Sequence, residues 1–256
     1  MDNITTMLRQ IEKEYQVKIL YACETGSRAW GFPSPDSDYD IRFLYMHETN
    51  WYLSLSDKKD TIEFMLNEEL DITGWDLRKS LVLLKKANAP LIERFQSPIE
   101  YYSVPGFKEN FSRLIKDYYS PTAVFYHHYS LAKKFWEEIK DQQTIKLKQY
   151  FYLIRSMLSC NWITQNSSVL PMHLEGLMKL INDHSRDNLR KLVKLKATVG
   201  EKYVHPVEKN LHAWLVNLWD KIDSAKESLV ANNNNFDALN DFFIQTVNES
   251  ANNRLG

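Results

Sequence analysis

Glycine and proline are scarce, 7 and 8 in 256 residues. That excludes collagen-like, linker-like and turn-rich architectures and leaves long uninterrupted elements, which with abundant Leu, Lys and Glu indicates a helix-rich fold. Cysteine is scarcer still. Cys23 and Cys160 lie far apart in a chain large enough to bury its own core, so there is neither a disulfide framework nor zinc-ligand spacing, and both are expected as reduced core residues. Net charge is almost absent at -1, so any grip on a polynucleotide must come from a local patch rather than from the field of the whole protein. No apolar run approaches the ~18 residues of a membrane span, and the opening MDNITTMLRQIEKEYQ carries acid, Arg and Lys where a secretory leader has its apolar core. A cytoplasmic location, with no membrane partner, is the default expectation.

What is present is 44% hydrophobic residues, enough for a buried core. Ile4, Met7, Leu8 and Ile11 recur at helical spacing, and Val17 to Cys23 is a short apolar run suited to a buried strand. A polar stretch, ETGSRAWGFPSPDSDYD, then separates this strand from a second over Tyr39 to Tyr45. Thr61 to Leu66 and Leu70 to Trp75 are two more strand candidates around a turn at Asn67-Glu68-Glu69, and Asp76 is placed to cap the helix that follows. From Phe107 to about Val230 apolar residues recur at three and four, as in PTAVFYHHYSLAKKFWEEI, and ANNNN reads as a link into a last helix. The pattern predicts an α+β chain: residues 1–103 as a mixed sheet with helices and 104–256 as a helical bundle, divided at the turn chemistry of SPIEYYSVPG.

Chemistry concentrates at Gly26-Ser27 and, later in the same polar stretch, Asp38-Tyr39-Asp40 at the mouth of a strand. Strand side chains alternate, so Asp38 and Asp40 are expected on one face, where two carboxylates repel unless a cation joins them. Magnesium takes hard oxygen ligands and is commonly held by one or two carboxylates plus substrate phosphates. Gly26 admits close backbone approach to a phosphate, and Ser27 offers donors. Each piece alone is commonplace, since a Gly-Ser dipeptide is usually a turn and an Asp-rich loop usually a solvated surface. Together they point to a site for metal and triphosphate.

The segment ETGSRAWGFPSPDSDYDIRFLY resembles the signature of the YcgL/RlaP-like nucleotidyltransferases of the DNA polymerase β superfamily. The likeness continues through WDLRKSLVLLKKANAPLIERFQSPIEYY and LKQYFYLIRSMLSCNWI, with one departure at Arg94, where an aromatic residue is expected. The resemblance implies a polymerase-β-like domain followed by helices, an active site in the cleft between the two parts, and transfer of a nucleoside monophosphate from an NTP with two Mg2+ ions. It places a third carboxylate in ELDITGWDL, where Asp71 is favoured over Asp76, whose competing role is a helix cap, and over Glu63. Asp38, Asp40 and Asp71 are then the metal ligands and catalytic set. Gly26, Ser27, Arg28 and Lys79 are the nucleotide contacts.

On the later helix Lys148, Tyr152 and Arg155 share a face and are candidates to bind the acceptor, although such stripes more often coat a surface. His127 and His128 point to different sides of a helix and are expected as structural groups. The basic run from Arg186 to Lys202 is explained equally well by a solvated helix. An RNA or tRNA end is the expected acceptor. The alternatives are nucleotidylation of protein and a non-catalytic nucleotide-binding or antitoxin-like module.

Overall fold

The structure is a computed structural model that describes residues 2–67, 70–166, 168–226 and 235–252. Glu68 and Glu69 of the expected turn, and the expected link at Ala231 to Asn234, lie outside the described residues. The chain folds as two compact units, and neither is a single run of sequence. The first gathers the described residues of Met1–Gly26, Asp38–Tyr119 and Asn233–Gly256, and the second those of Ser27–Ser37 and Ser120–Asn232. The linear division expected at 103/104 falls inside the first unit.

In the first unit helix α1 (Asp2–Tyr15) precedes strand β1 (Lys18–Glu24), and helix α2 (Gly26–Trp30) begins with this unit's last residue before the gap. Strand β2 (Tyr39–Met46), the short helix α3 (Thr49–Tyr52), strands β3 (Thr61–Asn67) and β4 (Leu70–Asp76), helices α4 (Leu77–Lys85) and α5 (Ala89–Arg94), strand β5 (Glu100–Ser103) and helix α6 (Phe107–Tyr118) follow. The five strands form one sheet in the order β3-β4-β2-β1-β5. β2 and β4 pair in parallel, and the other neighbours are antiparallel.

The periodicity of α1 buries Ile4, Met7, Leu8 and Ile11 against Ile19 and Ala22 of β1, Ile41, Phe43 and Tyr45 of β2, and Ile72 of β4. Since strand side chains alternate, Asp40, Arg42 and Leu44, together with Asp71, Thr73 and Trp75, stand on the opposite face. Tyr21 is packed by Phe95, which follows α5, with ring centroids 4.7 Å apart, and Phe95 stacks in turn on Phe111 of α6 at 4.3 Å. β5 has no counterpart among the strands expected from sequence: its four residues alternate between exposed and half-buried, and the turn chemistry around it conceals a short edge strand. The last helix, α12 (Asp237–Asn252), packs against α3 and α4 of this first unit, although its sequence continues the helical half.

The second unit is helical. α7 (Pro121–Ile139) opens with Ser120 accepting a hydrogen bond from the Ala123 amide and Pro at the first position, a standard start. Strand β6 (Thr144–Lys146), α8 (Leu147–Gln165), α9 (Leu174–Leu177), α10 (Asp183–Lys196), strand β7 (Val204–Pro206) and α11 (Lys209–Ala225) complete it. α8 packs against α7, α9 and α11 and is buried on nearly every side, as a helix apolar all round should be. The segment Ser27–Ser37 belongs to this unit because its aromatic side chains bury there: Phe32 stacks on Phe151 at 4.8 Å and Trp30 meets Tyr152 edge-on at 5.3 Å. Among the described residues no helix is long and apolar enough to cross a membrane.

Candidate metal and nucleotide site

Parallel pairing sets Asp40 of β2 opposite Asp71 of β4 as Cα partners. Directly paired residues of neighbouring strands project to the same face, so two carboxylates stand side by side at the starts of their strands. Arg42, two residues further along β2, projects to that same face and bridges them. Its Nη2 donates to Asp40 Oδ1 at 3.0 Å and to Asp71 Oδ2 at 2.7 Å. Its Nη1 donates to the main-chain carbonyls of Asp71 at 2.9 Å and Ile41 at 3.1 Å, and the Thr73 hydroxyl donates to Asp71 Oδ1 at 3.2 Å. Asp40 and Asp71 side chains are 29% and 47% exposed, so solvent reaches the pair.

The main chain of Asp40 is clamped from β1. The buried Glu24 accepts a hydrogen bond from the Asp40 amide at 2.7 Å through one carboxylate oxygen and from the Tyr101 hydroxyl through the other. Thr25 donates to the Asp40 carbonyl through its amide at 2.8 Å and its hydroxyl at 3.1 Å. Gly26 completes the clamp. Its φ is +63°, and a Cβ there would run into the Asp40 carboxylate. Glycine is thus required twice over, by the backbone angle and by contact.

The donor set fits a hard divalent ion. Two carboxylates in register already hold one delocalised cation between them, the guanidinium of Arg42, and hard oxygens are what magnesium prefers. Among the described residues, no three His, Cys, Asp or Glu side chains gather into a single ion site. Asp38 stands one residue ahead of β2 and is exposed.

The competing carboxylates separate cleanly. Asp76 is 1% exposed and caps α4, accepting from the Arg78 amide at 2.8 Å and the Tyr52 hydroxyl at 2.8 Å. Burial pushes its carboxyl up to about 6 despite those hydrogen bonds. Glu63 pairs with Thr73 across the β3–β4 ladder, so it shares the face of Asp71 but stands on β3, two strands from the β2 that carries Asp40.

Lys79 is not beside the carboxylate pair. Its ammonium donates to Asp60 at 2.7 Å and the Thr61 hydroxyl at 2.6 Å, at the end of β3 that pairs with Trp75, four residues along β4 from Asp71. In the second unit the Ser27 hydroxyl donates to Ser37 Oγ at 3.1 Å, and Arg28 Nη2 donates to the Ser37 carbonyl at 2.8 Å.

The stripe on α8 is not the exposed face that helical spacing suggested. Arg155 is 4% exposed, donates to the Met172 carbonyl at 3.2 Å and lies 4.4 Å over Trp30, so it serves the core. Tyr152 packs between Trp30 and Phe135. Lys148 pairs with Glu201 at 2.5 Å. Of the basic run, Lys196 is buried and donates to Ser34 Oγ at 2.7 Å, while Arg186 and Arg190 pair with Asp183 and Glu175. His128 is fully buried and burial holds its pKa well below the ordinary value, as suits a structural group.

Sequence reasoning missed Arg42, Glu24 and Thr73. The signal for Arg42 was available: a lone cation inside the apolar strand YDIRFLY, at the alternation that shares a face with Asp40. The departure at Arg94 proves to be a buried cation, 3.4 Å over the Trp75 ring, its pKa lowered by burial to about 9.

Residues 1–245 match the model of a protein family described as RlaP, RNA repair pathway DNA polymerase beta family. The chain is 44% identical over 171 residues to the uncharacterized protein YcgL of Bacillus subtilis (strain 168), a stretch covering 67% of this chain and 66% of the relative. The match therefore spans just under two thirds of the relative's length. A solved nucleotidyltransferase-like protein from Exiguobacterium sibiricum 255-15 aligns over 88% of this chain and 75% of its own, at 10% identity and a TM-score of 0.31.

Proposed function

We propose that this chain, which belongs to the RNA repair pathway DNA polymerase β family, is a metal-dependent nucleotidyltransferase that moves a nucleoside monophosphate from an NTP to a hydroxyl at an RNA end. The observation that carries the catalytic reading is the in-register pair of Asp40 and Asp71, side by side, solvent-accessible and bridged by a cation. A carboxylate pair is costly to keep unless positive charge joins it. Magnesium held by Asp40 and Asp71, with Asp38 from the turn before β2, would supply charge neutralisation for the phosphates.

In this reaction the acceptor oxygen bonds to the α-phosphorus, the bridging bond to the β-phosphate breaks, and pyrophosphate leaves. Asp71, the more exposed carboxylate of the pair, is the group to accept the acceptor's proton. Glu24, Thr25 and Gly26 hold Asp40 in place through its main chain and its carboxylate. Positioning and fixed charge, rather than covalent chemistry, then carry the rate. Ser27 and Arg28, next along the chain from Gly26, are the proposed triphosphate donors.

The choice of RNA rests on the family's description. Purified protein with Mg2+ and each labelled NTP, offered RNA, protein and small-molecule acceptors, tests it. Labelled RNA ends with pyrophosphate release are expected. Label on protein and on no RNA shifts the acceptor to protein. NTP binding that survives Asp40→Asn, with no pyrophosphate released by the wild type, replaces the enzyme with a binding module.

A further inference from the structure

We infer that Arg42 and a divalent ion compete for the same two carboxylates, so that Arg42 sets how tightly this site takes metal. The inference rests on the reading of Asp40 and Asp71 as ion ligands and goes beyond it.

Two aspartates held as Cα partners repel each other, and register fixes them there whatever else the site contains. Arg42 relieves that repulsion with a planar guanidinium whose Nη2 reaches Asp40 Oδ1 at 3.0 Å and Asp71 Oδ2 at 2.7 Å. Such charge-assisted bonds are about twice as strong as neutral ones. The side chain is 19% exposed, so its charge is partly desolvated and its hold on the pair is less screened than that of a surface bridge.

An ion bridging the pair draws on the same two carboxylates, of which Arg42 holds Asp40 Oδ1 and Asp71 Oδ2 and the Thr73 hydroxyl holds Asp71 Oδ1. Like charge and shared ligands set the ion against Arg42, and the cost of weakening Arg42's contacts is subtracted from the ion's affinity. A second cation on the same sheet face sharpens the competition. Arg94 is stacked on Trp75 and buried, and its charge and that of Arg42 repel one another. Arg42 displaced from the carboxylates therefore gains nothing by turning toward the interior. Its way out is toward solvent or toward an incoming anion.

The test is a Mn2+ titration read by electron paramagnetic resonance, on the full chain without nucleotide. Arg42→Met keeps the length of the side chain and removes its charge. It is expected to bind Mn2+ at least tenfold more tightly than wild type, about 1.4 kcal/mol, and Asp40→Asn is expected to abolish that binding in both backgrounds. Mn2+ affinity unchanged or weaker in Arg42→Met, with Asp40→Asn still abolishing it, overturns the competition and leaves the site reading intact. Binding indifferent to Asp40→Asn in both backgrounds overturns the site reading, and the competition with it. Should Arg42→Met fail to fold, the wild type decides. The 15N side-chain signal of Arg42, assigned by its loss in Arg42→Lys, is expected to move in step with a Mg2+ titration, and a signal unmoved at saturation overturns the proposal.

Discussion

Asp40 and Asp71 lie directly across the parallel β2–β4 ladder from one another, and a single guanidinium nitrogen, Arg42 Nη2, touches both carboxylates. Asp76, on the same strand as Asp71, is turned into the protein as the cap of α4. Asp40→Asn and Asp71→Asn should therefore each lower nucleotidyl transfer by on the order of 10²-fold or more. Asp76→Asn should leave turnover near wild type, since Asn also caps helices well. Pyrophosphate release by the three variants decides, and a dead Asp76→Asn of normal stability would move the third carboxylate to that position.

Gly26 and Gly106 both have positive φ, +63° and +77°. They differ in what a side chain would meet: at Gly106 the nearest atom is Asn110 Nδ2 at 4.0 Å, whereas at Gly26 it is the Asp40 carboxylate. Gly106→Ala should cost about 1–2 kcal/mol of backbone strain and spare activity. Gly26→Ala should cost more and remove activity as well. Urea unfolding alongside turnover separates strain from collision, and equal effects at the two positions would refute the contact argument.

Burial raises the carboxyl of Asp76 from an ordinary 3.8 to about 6. The folded state thus prefers the protonated form, and the resulting stability is complete below about pH 4 and is lost as pH rises through about 6. The full swing is on the order of 3 kcal/mol. Comparing unfolding free energies of wild type and Asp76→Asn from pH 4 to pH 7 should show the wild type losing ground to the variant across that window. A constant difference would contradict it.

His128 has the opposite sign. Burial lowers its pKa well below 6.5, so it is neutral when folded, and its stability is present above about pH 6.5 and falls away as pH drops. His128→Phe should flatten the acid side of the stability profile, read as melting temperature from pH 4 to pH 7.5. An unaltered acid slope would show that another group governs it.

Arg155 and Lys148 share a helix face by spacing, yet one is buried over Trp30 and the other is half-exposed and paired with Glu201. Arg155→Ala should cost about 2–3 kcal/mol, through an unsatisfied carbonyl and a lost stack. Lys148→Ala should cost no more than about 1 kcal/mol. Thermal unfolding of both measures this, and a stable Arg155→Ala that loses only acceptor binding would restore Arg155 as a substrate contact.

Several elements are legible in the amino-acid pattern. The periodicity of Ile4, Met7, Leu8 and Ile11 marks α1, the apolar run marks β1, and Asp76 announces the start of α4 with the hydrogen bond observed there. β5 is obscured because a short edge strand need not bury a face, and its pairing partner β1 lies far back in the chain. The return of α12 to the first unit and the transfer of Ser27–Ser37 to the second are hidden for the same reason, since each depends on which distant surface buries the segment's apolar side chains.

By itself the sequence determined which residue types could hold a divalent ion, where strands β1 to β4 run, and that Asp40 and Arg42 share a strand face, because those properties follow from side-chain chemistry and a two-residue period. Only the tertiary structure decided that Asp71 is the partner of Asp40, that Arg42 lies between them, and that Arg155 is interior. Register between β2 and β4 is a matter of main-chain hydrogen bonds between distant segments, and burial depends on what a neighbouring helix brings. Neither is written into the local pattern of either segment alone.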